Sequence, residues 1–210
     1  MRLDDLKPAS APASISLTAT SRLPTRYGEY VLHVFQDHQA GVEHIALVLG
    51  EITNSSNVLT RVHSECLTGD IFSSQRCDCG EQLAAAQSLI HAAQQGVIIY
   101  LRGHEGRGIG ITSKILAYGL QDQGLDTVEA NIALNLPVDS RQYHAAAEIL
   151  KQLKVVSIRL LTNNPDKVSA LLSSKVVIDS ILPIQTSPNA FNQAYLQTKK
   201  LKLGHALSLC

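Results

Sequence analysis

Between Val97 and Leu101 the chain reads VIIYL, an apolar run without polar alternation, set between Gly96 and Gly103. Such a run predicts a strand buried on both faces, which needs a layer of helices above it and another below. The neighbouring sequence can supply both. Leu83, Ala86, Leu89, Ile90 and Ala93 recur at helical spacing and stop before Gly96, a candidate residue for closing the helix. After a glycine-rich turn a second helix runs through SKILAYGLQDQ to Gly124, and a third is expected over about 140–153, with Tyr143, Ala147, Leu150 and Leu153 on one stripe. YVLHVF, HIALVLG, NVLTRVH, VSIRLLT and VVIDSILPI read as further strands, 165–173 as a short helix, and the polar stretch from Ser187 as a helix with a tail. Strands alternating with helices in this way give an α/β class, a three-layer α/β/α arrangement around a mixed sheet.

Residues 1–20, rich in Ala, Ser, Thr and Pro and without an apolar period, are expected to form a flexible N-terminal arm. Residues 21–205 then make one domain, and 206–210 a C-terminal tail. Lys+Arg and Asp+Glu balance at 18 each, so the whole-chain field draws neither nucleic acid nor an anionic membrane. No apolar run approaches the roughly 18 residues of a membrane span, and the N-terminus lacks the apolar segment of a secretory signal. A cytoplasmic location is expected.

In a reducing compartment, clustered cysteines point to metal or catalysis rather than to disulfides. Of the four cysteines, Cys66, Cys77 and Cys79 fall within SECLTGDIFSSQRCDCGEQL, and Cys210 is simply the last residue. Three thiolates with one open position suit a catalytic zinc, whose fourth ligand is water, whereas a structural zinc closes its shell with four protein ligands. His63 or a distant histidine could close the shell here, and metal-free thiols are the third alternative. Glu65, in HSEC, could shuttle protons as the glutamate of zinc nucleobase deaminases does, or could pair with Arg61 or Arg76.

Two strand-to-helix turns offer anion sites. RGHEGRGIG sets Gly103, Gly106, Gly108 and Gly110 beside Arg102 and Arg107, and backbone N–H groups at a helix start with arginines suit phosphate. A merely tight loop would need the same glycines. In TNNPDK, Lys167 falls in the first turn of a helix, against the dipole, so either an anion lies there or the lysine points into water beside Asp166. Asp139 could be the N-cap of the third helix.

Together RVHSECLTGDIFSSQRCDCGEQL, GHEGRGIG, KILAYGLQDQGLDTVEAN, DSRQY, RLLTNNPDK and KLGH resemble the GTP cyclohydrolase II family, in the family's order, from about Leu23 to His205. The resemblance implies zinc-dependent hydrolysis of GTP, with formate lost from C8 of the imidazole ring and pyrophosphate released, as the first step of riboflavin biosynthesis. It implies one Zn2+ per subunit on Cys66, Cys77 and Cys79, Mg2+ on the substrate polyphosphate, and a homodimer. It places GTP contacts on Arg61, Val62, His63, Ser64, Glu65, Gln82, Glu105, Gly106, Arg107, Thr127, Thr162 and Lys167. Asp139 and Arg141 match the family's proton acceptor and nucleophile, and Tyr118 a tyrosine near the purine. Because arginine parts with its proton so reluctantly, Arg141 is either a covalent nucleophile or a stabiliser of charge on the α-phosphate. Departures from the family pattern are Leu116 for a common arginine, Leu-Asn-Leu at 134–136 for Leu-Gly-Phe, and Lys154 for a common glycine. The length leaves no room for the synthase domain that some relatives carry, so a monofunctional chain is expected.

Overall fold

The structure, a computed structural model, describes residues 14–207. A seven-stranded mixed sheet runs in the order β1-β2-β3-β5-β4-β6-β7, comprising β1 (Ile15–Thr25), β2 (Gly28–Asp37), β3 (Val42–Leu49), β4 (Val58–Ser64), β5 (Gly96–Leu101), β6 (Ile158–Leu161) and β7 (Ile178–Leu182). The first three strands and β5 pair antiparallel, while β5, β4, β6 and β7 pair parallel. The helices are α1 (Leu67–Asp70), α2 (Cys79–Ala93), α3 (Gly110–Gln121), α4 (Thr127–Ala133), α5 (His144–Gln152), α6 (Pro165–Ser173) and α7 (Gln193–Leu203).

β4 is the pivot of the parallel half. From it the chain crosses through α2 to β5 on one side, then returns past β4 through α3, α4 and α5 to β6 on the other. Right-handed crossovers running in opposite directions leave a sheet by opposite faces. Accordingly Ala86 and Ile90 of α2 pack with Ile98 and Leu161 on one face, and Ala146, Ile149 and Leu150 of α5 pack with Val62, Val97, Ile99 and Leu160 on the other. The three-layer expectation holds, and the run VIIYL is buried on both sides of the sheet. Tyr143, Ala147 and Leu150 of the predicted stripe lie in the core with Leu153 packed against it.

Three local expectations are corrected. Residues 15–20, placed in the arm, belong to β1, which is hydrogen-bonded to β2 from Ile15 opposite Asp37 to Thr25 opposite Gly28. Ile15, Leu17 and Ala19 alternate with Ser16, Thr18 and Thr20, a period-2 signal masked by the Ala, Ser, Thr and Pro composition, and this edge strand is solvated along most of its length beyond Ile15. Residues 1–13 of the expected arm lie outside the described residues, as do 208–210 of the tail; Ala206 N donates to Asn163 O, and Leu207 is buried. Gly96 is the first residue of β5, and the left-handed residue closing α2 is Gln94 at φ 54°. α5 begins at His144 rather than about Ser140, because Ser140 is drawn aside to the glycine-rich turn, its N donating to Arg107 O.

Candidate metal and anion site

β4, β5 and β6 all end at one edge of the sheet, where loops from a topological switch point conventionally enclose ligands. Here they surround an open-mouthed cavity. β4 runs into Cys66, β5 into the glycine-rich turn, and β6 into Asn163 and Asn164, so all three chemistry-bearing segments of the sequence converge on it.

Cys66, Cys77 and Cys79 bring their sulfurs within 4.8 Å of one another, with 3.7 Å between those of Cys66 and Cys77. Tetrahedral zinc with Zn–S bonds near 2.3 Å sets its sulfurs about 3.8 Å apart, so the spacing fits the ion. Gly69 gives the cluster its room: a Cβ there would stand 2.9 Å from Cys77 Sγ and 3.3 Å from Cys66 Sγ. Hydrogen bonds from the Cys77 and Cys79 thiols hold Cys66 far below the usual thiol range against its burial, and Cys77 in turn is pushed up to about 11, chiefly by Cys66. Such a set binds a cation in place of its shared protons. Among the described residues no His, Asp or Glu joins the three to close a shell. His63 faces Asp70 instead, Nε2 to Oδ1 3.0 Å, and stacks on Tyr100. Asp70 also accepts from Cys66 N at 3.0 Å and the Tyr100 hydroxyl at 2.8 Å, tying β4, β5 and α1 together beneath the thiols.

Around the glycine-rich turn, Gly106 and Arg107 take consecutive left-handed conformations at φ 59° and 63°. Gly108 follows at φ 91°, and a Cβ there would lie 2.3 Å from Ser140 Oγ, so only glycine lets the 139–141 loop dock, Ser140 N to Arg107 O 3.0 Å. Arg107 is buried, and neither terminal nitrogen of its guanidinium has a partner. A buried cation with unsatisfied donors facing a cavity is arranged for an anion. Lys167 stands nearby. Asn164 caps α6 by accepting from Asp166 N at 3.0 Å, which fixes Lys167 in the first turn, where it is 5% exposed and donates to Val62 O at 2.6 Å. Burial, then the charges of Arg61, Arg141 and Lys199, push the Lys167 ammonium far down. The alternative in which Lys167 points into water is excluded. Arg107, Arg141 and Lys167 thus gather at this end of the cavity.

Arg141 is gripped by Asp139, its Nε 2.9 Å from Oδ1 and 3.2 Å from Oδ2, while its backbone N also donates to Oδ1 at 3.0 Å. Burial opposes the guanidinium charge, yet Asp139 more than offsets it and holds Arg141 above its ordinary value. Asp139 therefore orients Arg141 and does not cap α5. On the α2 side, Arg61 Nη2 donates to Gln82 Oε1 at 2.7 Å and Nη1 to Leu161 O at 3.0 Å, both side chains being buried.

Of the residues singled out in the sequence, Arg61, His63, Ser64, Glu65, the three cysteines, Gln82, Gly106, Arg107, Tyr118, Thr127, Arg141, Thr162 and Lys167 line the cavity. Val62 does not: its side chain is fully buried in the sheet core and only its carbonyl faces Lys167. Glu105 is buried behind the thiols, accepting from Lys114 Nζ at 2.6 Å and Leu67 N at 2.6 Å, and Asp139 stands behind Arg141. Glu65 pairs with neither Arg61 nor Arg76; it accepts from Gly103 N at 2.8 Å, and Arg76 pairs with Asp122.

The three family departures lie off the cavity. Leu116 is 57% exposed on α3, while Asn135 and Lys154 take left-handed conformations at φ 53° and 56°, as positions suited to glycine do. Lys114, Tyr195, Lys199 and His205 also line the cavity, although the sequence assigned none of them a role and His205 entered only as the end of the KLGH match. Lys114 lies one turn before Tyr118 on α3, a spacing that could have signalled it. Lys199 carries no comparable local signal.

The family model described as GTP cyclohydrolase II matches residues 16–183. The GTP cyclohydrolase-2 of Acinetobacter baylyi is 51% identical over 193 residues, covering 91% of this chain and 96% of that protein, and the one from Neisseria meningitidis serogroup A is 48% identical over 194 residues, covering 92% and 98%. A rice protein named as a probable bifunctional riboflavin biosynthesis protein is 51% identical over 195 residues, which cover 93% of this chain and 35% of its own length. With the three-thiol cluster, the two basic turns and near full-length relatives at this identity, the chain belongs to the GTP cyclohydrolase II family.

Proposed function

We propose that this chain hydrolyses GTP, opening the imidazole ring at C8 with loss of formate and releasing pyrophosphate, to give 2,5-diamino-6-(5-phosphoribosylamino)pyrimidin-4(3H)-one for riboflavin biosynthesis. One juxtaposition carries the reading: a three-thiol cluster and an arginine with two unpartnered buried nitrogens open into the same cavity. The first suits attack on a ring carbon and the second suits a polyphosphate.

Cys66, Cys77 and Cys79 would hold one zinc ion per subunit, and when bound it supplies the Lewis acidity that ionises water near neutral pH. The chain's own residues do the rest. Arg61 and Gln82, locked to each other, present a fixed hydrogen-bonding edge to the purine, with His63, Ser64 and Glu65 beside it. Tyr118, under the guanidinium of Arg76 at 4.8 Å, closes the thiol side. Arg107, Gly106 and Lys167 take the β- and γ-phosphates, Thr127 and Thr162 border the cavity, and Arg141 lies against the α-phosphate. Its carboxylate-clamped guanidinium supports the role of fixed cation rather than covalent nucleophile. Magnesium would accompany the substrate polyphosphate and offset its charge, needing few protein ligands. A homodimer in the cytoplasm completes the proposal; no helix among the described residues is long and apolar enough to cross a membrane.

The test is to incubate zinc-loaded protein with GTP and Mg2+ and quantify formate, pyrophosphate and pyrimidine together. Equal release of all three is expected. Release of ammonia, or tight GTP binding with no product from zinc-loaded protein, would overturn the proposal.

A further inference from the structure

The matched family span ends at residue 183, yet one wall of the cavity is built by the C-terminal residues beyond it. α7 is polar around most of its circumference, but Leu196, Thr198 and Lys199 on it are buried. Gly204 turns the chain back at φ 64°, His205 enters the cavity, and Ala206 N donates to Asn163 O at 3.0 Å. The segment is thus pinned at its C-terminal end, where Lys202 also pairs with Asp126 at the start of α4.

Lys199 is the centre of this wall. Its Nζ lies 2.6 Å from Asp78 Oδ1, a residue 121 positions earlier and set between two of the three thiols. Asp78 Oδ2 accepts from Gln82 Nε2 at 2.6 Å, and Gln82 Oε1 accepts from Arg61 Nη2 at 2.7 Å. Lys199, Asp78, Gln82 and Arg61 are each no more than 9% exposed. Gln82 is an amide whose two ends could exchange. Because Asp78 can only accept and Arg61 can only donate, the chain admits one orientation of Gln82, and Lys199 holds Asp78 charged and in place. The Tyr195 ring, one turn earlier, stands 5.9 Å from the Arg107 guanidinium and 4.6 Å from Lys199 Nζ.

We propose that the C-terminal segment from Asn192 is part of the substrate site, and that Lys199 is a positioning residue which, through Asp78, fixes Gln82 and Arg61 for the guanine end of the nucleotide. This rests on the proposed hydrolysis of GTP. Lys199 donates into the chain rather than to substrate, so its removal weakens capture of the nucleotide while leaving the thiols able to hold metal.

The experiment measures KM and kcat for GTP, zinc content and thermal melting for the full-length zinc enzyme and three variants. Lys199→Met is expected to raise KM at least tenfold with zinc content unchanged, since it leaves the buried Asp78 charge unpaired. Lys199→Arg, which keeps a cation at Asp78, should recover most of that loss. In Lys199→Met/Asp78→Asn the stranded charge is gone and the amide oxygen at position 78 can still accept from Gln82, so KM should return to within severalfold of wild type. A double variant as impaired as Lys199→Met alone would mean that the lysine acts on substrate directly and would overturn the positioning role. An unchanged KM in well-folded Lys199→Met would do the same, and failure of both Met variants to melt cooperatively would make the residue structural only. Wild-type protein inert towards GTP overturns the function and this inference with it, whereas active wild type with indifferent Lys199 variants overturns this inference alone.

Discussion

Lys114 sets its ammonium 3.2 Å from Cys66 Sγ and 2.6 Å from Glu105 Oε1, so one buried cation bridges the thiol cluster and a buried carboxylate. Its burial opposes the charge, but Cys66 and Glu105 reverse the balance and hold Lys114 above its ordinary value. Removing one partner of a buried pair strands the other, at a cost of roughly 3–5 kcal/mol. Lys114→Met should destabilise the fold by that order, and zinc should leave about tenfold more readily because groups behind metal ligands tune their affinity. Chemical denaturation and competition with a chelator measure the two effects. Adding Glu105→Gln should restore the stability but not the zinc retention.

The Asp139 clamp makes Arg141→Lys a severe change. Lysine cannot present two parallel donors to the carboxylate. We expect kcat to fall by about 10²–10³, the usual loss for a fixed electrostatic group, with zinc content and melting temperature little changed. Burial raises Asp139, but Arg141 outweighs it and the carboxyl sits below its usual value. A depressed carboxylate contributes above its unfolded pKa and loses that contribution only as pH falls through the folded value. The pair should therefore give no limb to the rate profile between about pH 5 and 9; a wild-type limb in that range that vanishes in Asp139→Asn would refute the assignment.

His104 and His205 are both lowered to about 3, first by burial and then by Arg141 and Lys167 at His104 and by Lys199 and Arg141 at His205. The unfolded chain, near 6.5, binds these protons first. Stability should thus be complete above about pH 6.5 and decline as pH falls towards 3, by up to about 1.4 kcal/mol per unit for each histidine. Melting temperatures of ligand-free protein at pH 7 and pH 5 test this, and His205→Gln should flatten the slope.

Gly108→Ala and Gly110→Ala separate loop geometry from backbone strain. Both glycines have positive φ, 91° and 82°, but only at Gly108 does a Cβ collide, 2.3 Å from Ser140 Oγ, whereas at Gly110 nothing lies within 4 Å. Gly110→Ala should cost about 1–2 kcal/mol in stability with activity largely kept. Gly108→Ala should add displacement of the 139–141 loop, with turnover reduced more than tenfold in steady-state assays.

Lys154 is held left-handed at φ 56°, its carbonyl accepting from Asn54 N at 2.8 Å. Lys154→Gly should stabilise the protein by about 1 kcal/mol in denaturant titrations, since the strain removed slightly exceeds the chain entropy added. Asn135→Gly should be near neutral, because asparagine tolerates this region.

Much of the site was legible because its signals are local. Cys66, Cys77 and Cys79 announce themselves by residue type within one short segment, and their convergence needs only the turn through α1 that Gly69 permits. The glycine-rich turn and the capped start of α6 are equally local, since left-handed backbone and an N-cap are properties of a few adjacent residues. Asp139 misled for the same reason: aspartate beside serine reads as a cap, while its actual partner is the arginine two residues on.

Six of the seven strands, five of the helices and the thiol set are legible in the sequence, because periodicity and residue chemistry act within a dozen positions, whereas α1 and α4 are too short to show a period. That residues 15–20 join the sheet, that Lys114 backs the thiols and that Lys199 reaches Asp78 emerge from the assembled fold alone. The first depends on pairing with β2, because Ile15 is the only buried residue of its alternating apolar set. The others are buried charges, and a lysine in a helix reads as solvated until the fold sets a carboxylate or a thiolate against it.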